Sequence, residues 1–443
     1  MGLIKKNQFN INIAGKKQRV AILGFGAEGR ALLEYLQKQG EYDITVIDDG
    51  NPEIDGFNGV KFVLKPGATT ESLDYDLVWR ASPSINPDKI NTGAPVMTAT
   101  QEFFARCPAR IIGVTGTKGK GTTATLTSLI LAKSGFKVHL VGNIGTVALS
   151  QLGKIKAEDI VVFELSSYQL WDLRQSPHVA VVLMISEDHL DVHGSMENYL
   201  DAKSNIARWQ APEDIVFYNP NNANSKRVAS VGLGKKMPFM GPGAVEIKKG
   251  VVCFQDERII NVSEIKLIGK HNLENIAAAI SASAALGAAP TAMRDAVAEF
   301  EGLDHRLQIA AKKGGVLYID DSISTTPAST VAAIRAFSEP KVLILGGSDK
   351  GLNYNLLASE ITNSNVKRVI ISGENASKII AALKRANYKH YVTAETMEKA
   401  VKLAAEAACT GDVVLLSPAS ASLDSFNNYA ARGDAFKKAV SRL

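Results

Sequence analysis

ARIIGVTGTKGKGTTATLTSLILAKSG, residues 109–135, is the stretch on which the fold turns. An apolar run, IIGV, leads into Gly116-Thr117-Lys118-Gly119-Lys120-Gly121-Thr122-Thr123 and then into a long run of helix-compatible residues. Strand, glycine turn and helix in that order aim backbone N–H groups and a helix N-terminus at a phosphate. Lys120 is placed to reach the β- and γ-phosphates of a nucleoside triphosphate, with a hydroxyl on Mg²⁺. A common P-loop has Ser or Thr directly after its lysine. Here Gly121 intervenes, so the metal hydroxyl falls to Thr122 or Thr123. The alternative is a glycine-rich turn that binds no nucleotide.

Two more openings share this plan. RVAILGFGAEGRALLEYLQKQG (19–40) is followed by DITVIDDG (43–50), and GGVLYIDDSISTTPASTVAAIRAF (314–337) by KVLILGGSDKG, RVIISG and DVVLLSPASAS. Apolar strands alternating with helices and ending in Gly, Ser or Asp indicate an α/β fold of parallel sheets. Joints are expected near CPAR (107–110) and EGLDHRLQ (301–308), giving segments 1–108, 109–302 and 303–443. The polar stretch 219–265 reads as an excursion of short strands and loops.

A chain of 443 residues exceeds what one core usually organises. Its 46% apolar and 21% charged residues are ordinary globular composition. A net charge of +5, with scattered basic residues, argues against a nucleic-acid reader and suits anionic substrates. Cys107, Cys253 and Cys409 lie far apart without CxxC spacing, which points to a reducing compartment. The N-terminus lacks a signal peptide's apolar core, and no run approaches the roughly 20 apolar residues that span a bilayer. A cytoplasmic protein with no membrane partner is expected.

DIVVFELSSYQL (159–170) carries an apolar strand ending in Glu164, the place from which P-loop proteins send an acid to the metal. In MISEDHLDVHGSMENYLDAKSNIA (184–207), Asp188, His189, Asp191 and His193 follow a strand, and Lys203 falls on the next helix. Acids and imidazole beside a P-loop suit a hard metal with oxygen ligands and one nitrogen; a polar loop with capping acids is the other reading. Gly24-Phe25-Gly26-Ala27-Glu28-Gly29, with Asp48 ending the next strand, matches the dinucleotide fingerprint. That leaves open an NAD-dependent oxidoreductase, because such glycines serve any diphosphate.

Together these segments resemble the Mur ligases, ATP-dependent amide-forming enzymes of peptidoglycan synthesis, and most nearly their glutamate-adding branch. The landmarks are GTKGKGTT, GNIGT (142–146), ELSSYQL, EDHLD (187–191), the lysine of DAKSN, GKHNLENIAAA (269–279), DHRLQ (304–308), GGSDKG (346–351) and SPASASLDSF (417–426). The resemblance implies three domains: a Rossmann-like one for UDP, a central P-loop ATPase and a C-terminal Rossmann-like α/β domain for the amino acid. It implies that Gly24, Phe25, Gly26 and Asp48 hold uridine diphosphate, with Ser82, Pro83 and Ser84 approaching the same ligand. Asn143, Ser166, Gln169 and His189 would face the precursor. Gly116 to Thr123, Asn272, Asn275, Arg306 (of the pair His305-Arg306) and Asp321 would serve ATP. Thr325, Lys350, Ser422, Leu423 and Tyr429 would serve the amino acid. Thr122, Thr123, Glu164, His189 and Lys203, the last as a carbamate, would hold two Mg²⁺ ions. Lys120, Glu164, His189 and Lys203 would form the catalytic set. The implied substrates are UDP-N-acetylmuramoyl-L-alanine and glutamate, joined through an acyl phosphate by a monomer.

Two departures stand out. The glutamate-adding pattern close to NDSKATN here reads Asp320-Asp321-Ser322-Ile323-Ser324-Thr325-Thr326, so Ile323 replaces a lysine. This resembles a minor branch that adds L-glutamate; D-glutamate is the family-weighted expectation. Gly121 resembles folylpolyglutamate synthetase, a relative on the same fold. A bare ATPase switch would explain the P-loop but not the motifs of the last third.

Overall fold

The computed structural model describes residues 17–443 other than 41, 55, 58, 83, 84, 268, 270 and 350. Two compact units form, one of Met1–Ile265 with His271–Glu299, the other of Lys266–Lys270 with Phe300–Leu443.

The first unit holds two parallel sheets. One has five strands in the spatial order Lys61–Leu64, Tyr42–Asp48, Gln18–Leu23, Leu77–Arg80, Val96–Thr98. Its switch point lies between Gln18–Leu23 and Leu77–Arg80, where a doubly wound sheet opens a crevice beyond the strand ends. The other has six: Lys235–Pro238, Ile215–Tyr218, Val179–Val182, Arg110–Thr115, Ile160–Glu164, Val138–Gly142. Strand Ile160–Glu164 is buried along its whole length, as an interior parallel strand covered on both faces must be. Helix Asn272–Ala284 packs against helix Lys120–Lys133, and its Ala277 to Ala279 are wholly buried. The excursion at 219–265 contributes a helix, the edge strand Lys235–Pro238 and an antiparallel trio, Val245–Lys248, Val251–Phe254 and Glu257–Asn261.

One apolar core runs through both sheets. Val20 and Ile22 of the first and Val161 and Phe163 of the second belong to it, joined by helix Ala99–Arg106. Phe103 meets Phe163 edge-on at 5.5 Å and Phe104 meets it at 5.8 Å. The join near 107–110 is therefore a change of sheet, without a gap in packing.

The second unit is a six-stranded sheet, Gln308–Lys313, Val316–Asp320, Val413–Leu416, Lys341–Gly346, Val366–Ser372, Tyr391–Thr393, with the first pair antiparallel and the rest parallel. Three α/β sheet systems in chain order meet the expected fold class.

Candidate active site

The sequence 116–123 forms a glycine-rich turn into the N-terminus of helix Lys120–Lys133, a shape that suits a phosphate. Gly116 (φ 154°) and Gly119 (φ 86°) occupy backbone regions that favour glycine. A Cβ on Gly119 would lie 2.2 Å from Asn275 Oδ1. Gly119 begins helix Lys120–Lys133, and no described side chain caps it, so its N–H groups point outward for an anion. Lys120 Nζ donates to the carbonyls of Gly116 (3.2 Å) and Thr117 (3.1 Å).

Lys203 Nζ donates to that same Gly116 carbonyl at 3.0 Å, and to Thr115 Oγ1 at 3.3 Å. It is 1% exposed. Burial pushes this amine well below the ordinary lysine range, and the Lys120 charge pushes the same way. Parallel pairing sets Glu164 beside Val114, two residues before the loop, with its side chain buried. Thr123 Oγ1 donates to Asn275 Oδ1 (3.4 Å), and Asn275 Nδ2 to Asn272 Oδ1 (2.7 Å). Thr122 is also buried, one residue nearer the loop. Thr117 Oγ1 donates to Ser186 O at 3.0 Å and lies 3.1 Å from Tyr199 Oη, tying the cradle to the segment before His189.

The acid and imidazole group splits. His189 has left-handed backbone (φ 53°), unusual outside glycine, and its side chain is 46% exposed beside Tyr168 at 5.0 Å. Asp188 Oδ2 is 3.5 Å from His189 Nε2. His193 turns inward, with Nε2 3.0 Å from Ser167 Oγ and its ring stacked between Trp171 (4.2 Å) and Tyr168 (5.4 Å). Burial pushes it down to about 4. Among the described residues no three His, Cys, Asp or Glu side chains converge on one metal position.

The first glycine loop is built differently. Gly24 (φ 91°) passes so near the Ser82 turn that a Cβ would come within 2.4 Å of Ser82 Cβ. Gly26 has nothing within 4 Å of the same position, which leaves its helix N-terminus open. Asp48 Oδ2 accepts from Phe25 N at 2.7 Å and Oδ1 from Gly50 N at 2.8 Å, so this carboxylate sets the loop's shape. Ser166 and Gln169 form a reciprocal cap, and Gln169 Nε2 donates to half-buried Glu28 at 2.8 Å. Asn143 is exposed in the turn after Val138–Gly142. Pro83 and Ser84 lie outside the described residues.

In the second unit, His305 (φ 61°) and Leu307 (φ 45°), two left-handed non-glycine residues, flank Arg306. Such strain concentrates at functional turns. His305 Nδ1 lies 2.7 Å from Asp320 Oδ2. Asp321 is 2% exposed and accepts from Leu307 N (3.2 Å) and Ser417 Oγ (2.7 Å); burial pushes it up to about 6 despite these bonds. Thr325 is half-buried in the same turn, and Ile323 N donates to His305 O at 3.1 Å. Ser422 is buried, while Leu423 and Tyr429 are exposed. Lys350 lies outside the described residues.

Against known families, residues 114–283 match the Mur ligase middle domain and residues 305–420 the Mur ligase glutamate ligase domain. The UDP-N-acetylmuramoylalanine--D-glutamate ligase of Clostridium kluyveri is 35% identical over 451 residues, covering 97% of each chain. The chain belongs to the Mur ligase family. The enzyme of the same description from Acetivibrio thermocellus is 36% identical, covering 99% of each chain. Among solved structures, the MurF ligase of Thermotoga maritima in complex with ADP superposes with a TM-score of 0.58 at 18% identity over 96% of each chain, a likeness of fold.

This Mur ligase also relies on two buried arginines that the motifs do not name. Arg80, 2% exposed, donates to Asp172 Oδ1 at 2.7 Å and to Tyr168 O at 3.2 Å, joining the end of a first-sheet strand to the segment under His189. Arg432 donates to Ser322 Oγ (3.0 Å), Ser322 O (2.8 Å) and Ser420 O (2.9 Å), clamping the Asp321 turn to the SPASAS loop. Burial lowers its guanidinium to about 10. A charged residue inside the apolar strand VWRAS was the signal for Arg80; Arg432 sits in an unremarkable helical run.

Proposed function

We propose that this Mur ligase joins D-glutamate to UDP-N-acetylmuramoyl-L-alanine, consuming ATP and releasing ADP and phosphate, in peptidoglycan synthesis. Two lysines meeting on the Gly116 carbonyl beside Glu164 carry this reading, because a plain ATPase loop has no use for the second. We assign residues 1–108 to the precursor, 109–302 to ATP and 303–443 to the amino acid.

A carboxylate does not form an amide unaided, since its oxygen leaves poorly. The precursor's alanine carboxylate attacks the γ-phosphorus and ADP departs, giving an acyl phosphate. The glutamate amine attacks the acyl carbon, loses a proton, and the tetrahedral adduct expels phosphate. Lys120 trades its loop carbonyls for phosphate oxygens and offsets their charge. Asn275 braces the cradle at Gly119, and Gly24 to Gly29 with Ser82 and Asn143 hold the precursor. Thr325, Ser422, Leu423, Tyr429 and Lys350 receive glutamate. Pre-positioning of amine and acyl phosphate supplies about 7–11 kcal/mol of the barrier reduction.

Two ammonium groups sharing one carbonyl, Lys203 buried and Lys120 half-buried, repel each other. A neutral Lys203 amine instead takes up CO₂ with loss of a proton, becoming an anionic carbamate that attracts Lys120. The donor set then fits magnesium: the Thr122 hydroxyl, the Glu164 carboxylate and the carbamate are hard oxygens, with Thr123 and His189 alongside. Two such ions, when bound, neutralise charge on the transferred phosphoryl group. The enzyme works as a cytoplasmic monomer, away from membrane and nucleic acid.

Precursor labelled with ¹⁸O in its alanine carboxylate tests the route. One labelled oxygen should appear in the released phosphate; unlabelled phosphate, or pyrophosphate as product, rejects it. Lys203→Ala should lose activity and recover part of it with a small added carboxylate; full activity unaided rejects the carbamate.

A further inference from the structure

We propose that Glu28 is a positioning residue of this ligase, holding the Gln169 amide so that the precursor loop and the turn after Glu164 act as one piece. This rests on the assignment of Gly24 to Gly29 to the precursor, and the residue at 28 is the odd one there. Glu28 falls in the first turn of helix Ala27–Gln39, whose N-terminus no described side chain caps. An acid suits a bare helix N-terminus. Beside a bound diphosphate, however, its charge repels the ligand. Burial makes that charge costly and raises its pKa, while the Gln169 N–H and the Arg80 guanidinium offset part of the cost. A like charge kept in a diphosphate site calls for another task, and Gln169 supplies it.

Gln169 is 2% exposed, and its amide is engaged at both ends. Oε1 accepts from Ser166 N at 3.0 Å and from Ser166 Oγ at 3.1 Å, and Nε2 donates to Glu28 Oε1 at 2.8 Å. Turning the amide over would set its oxygen against the carboxylate, so Glu28 fixes which end is the donor.

From this turn the bonds continue inward. The carbonyl of Leu165, next to Ser166, accepts from Thr115 Oγ1 at 2.9 Å, and Thr115 Oγ1 accepts from Lys203 Nζ at 3.3 Å. Arg80 holds the same turn through Tyr168 O at 3.2 Å. A contiguous run thus joins helix Ala27–Gln39 to the lysine pair on Gly116, a path by which one glycine loop can set the geometry of the other.

Steady-state kinetics of the full chain, with ATP, Mg²⁺, UDP-N-acetylmuramoyl-L-alanine and D-glutamate, is the test. Glu28→Ala should lower kcat about tenfold and leave KM for ATP unchanged, while the melting temperature moves little. Gln169→Glu sets two carboxylates face to face and should lower kcat further. Adding Glu28→Gln to it rebuilds the bond with donor and acceptor exchanged, and should recover about tenfold of that loss. Wild-type or faster kcat in Glu28→Ala, or a double variant no faster than Gln169→Glu alone, overturns the proposal. So does a kcat loss that tracks a fall in melting temperature across the three variants, which leaves the pair a purely structural role. Wild-type protein that releases no phosphate under these conditions overturns the ligase reading, and the proposal falls with it.

Discussion

The two glycine loops of the first unit share one architecture and differ in what surrounds them. At Gly24–Gly29 the backbone is shaped by a carboxylate, Asp48 accepting from Phe25 N, and the helix N-terminus opens onto space at Gly26. At Gly116–Thr123 the loop is crowded by Asn275 and holds two lysine amines on one carbonyl, with Glu164 one strand away. The first arrangement suits a grip on a diphosphate. The second concentrates charge where phosphoryl transfer needs it. On the proposed function, like strand–turn–helix plans become a holding site and a reaction site through their neighbours.

The largest break in this contrast should come from Lys120→Ala. With the cradle's cation gone, kcat should fall by about 10³-fold or more while precursor binding, read by calorimetry, holds. Paired glycine variants sharpen the difference. Gly119→Ala forces a Cβ against Asn275 from left-handed backbone and should destabilise the fold by about 2 kcal/mol or more, seen in denaturant melts. Gly26→Ala meets empty space at an ordinary φ, so stability should hold while KM for the precursor rises about tenfold. Next in size, Asp48→Ala leaves Phe25 N–H without its carboxylate; a loss of about 1–2 kcal/mol, with KM for ATP unchanged, would confine Asp48 to the first loop.

A separate effect concerns pH and a strand-end acid of the second unit. Asp321 is raised from 3.8 to about 6 by burial, so the folded state holds its proton more tightly than the unfolded chain does. The stability this group contributes is present below pH 3.8 and lost as pH rises through about 6. Wild-type stability minus that of Asp321→Asn should therefore decline across that window and stay flat outside it.

Much of this was legible in sequence for a physical reason. Apolar runs ending in glycine specify parallel strands and their turns locally, so all three sheet systems could be read. Glu164 was legible because the strand neighbouring a P-loop strand ends beside it. The parting of His189 from His193 was not, since it rests on left-handed backbone at 189 and on the inward stacking of the His193 ring against Trp171. Arg80 and Arg432 escaped because their partners are distant in sequence and bonded mostly through backbone carbonyls. The common core was hidden for the same reason: it depends on Phe103 and Phe104 meeting Phe163 across two sheets.

The most direct measurement is phosphate release by purified protein given ATP, Mg²⁺ and UDP-N-acetylmuramoyl-L-alanine, with D-glutamate, L-glutamate or no amino acid. Release of ADP and phosphate with D-glutamate, far above the other two conditions, is the expected result. ATP consumption indifferent to the amino acid, or a clear preference for L-glutamate in keeping with Ile323, would contradict it.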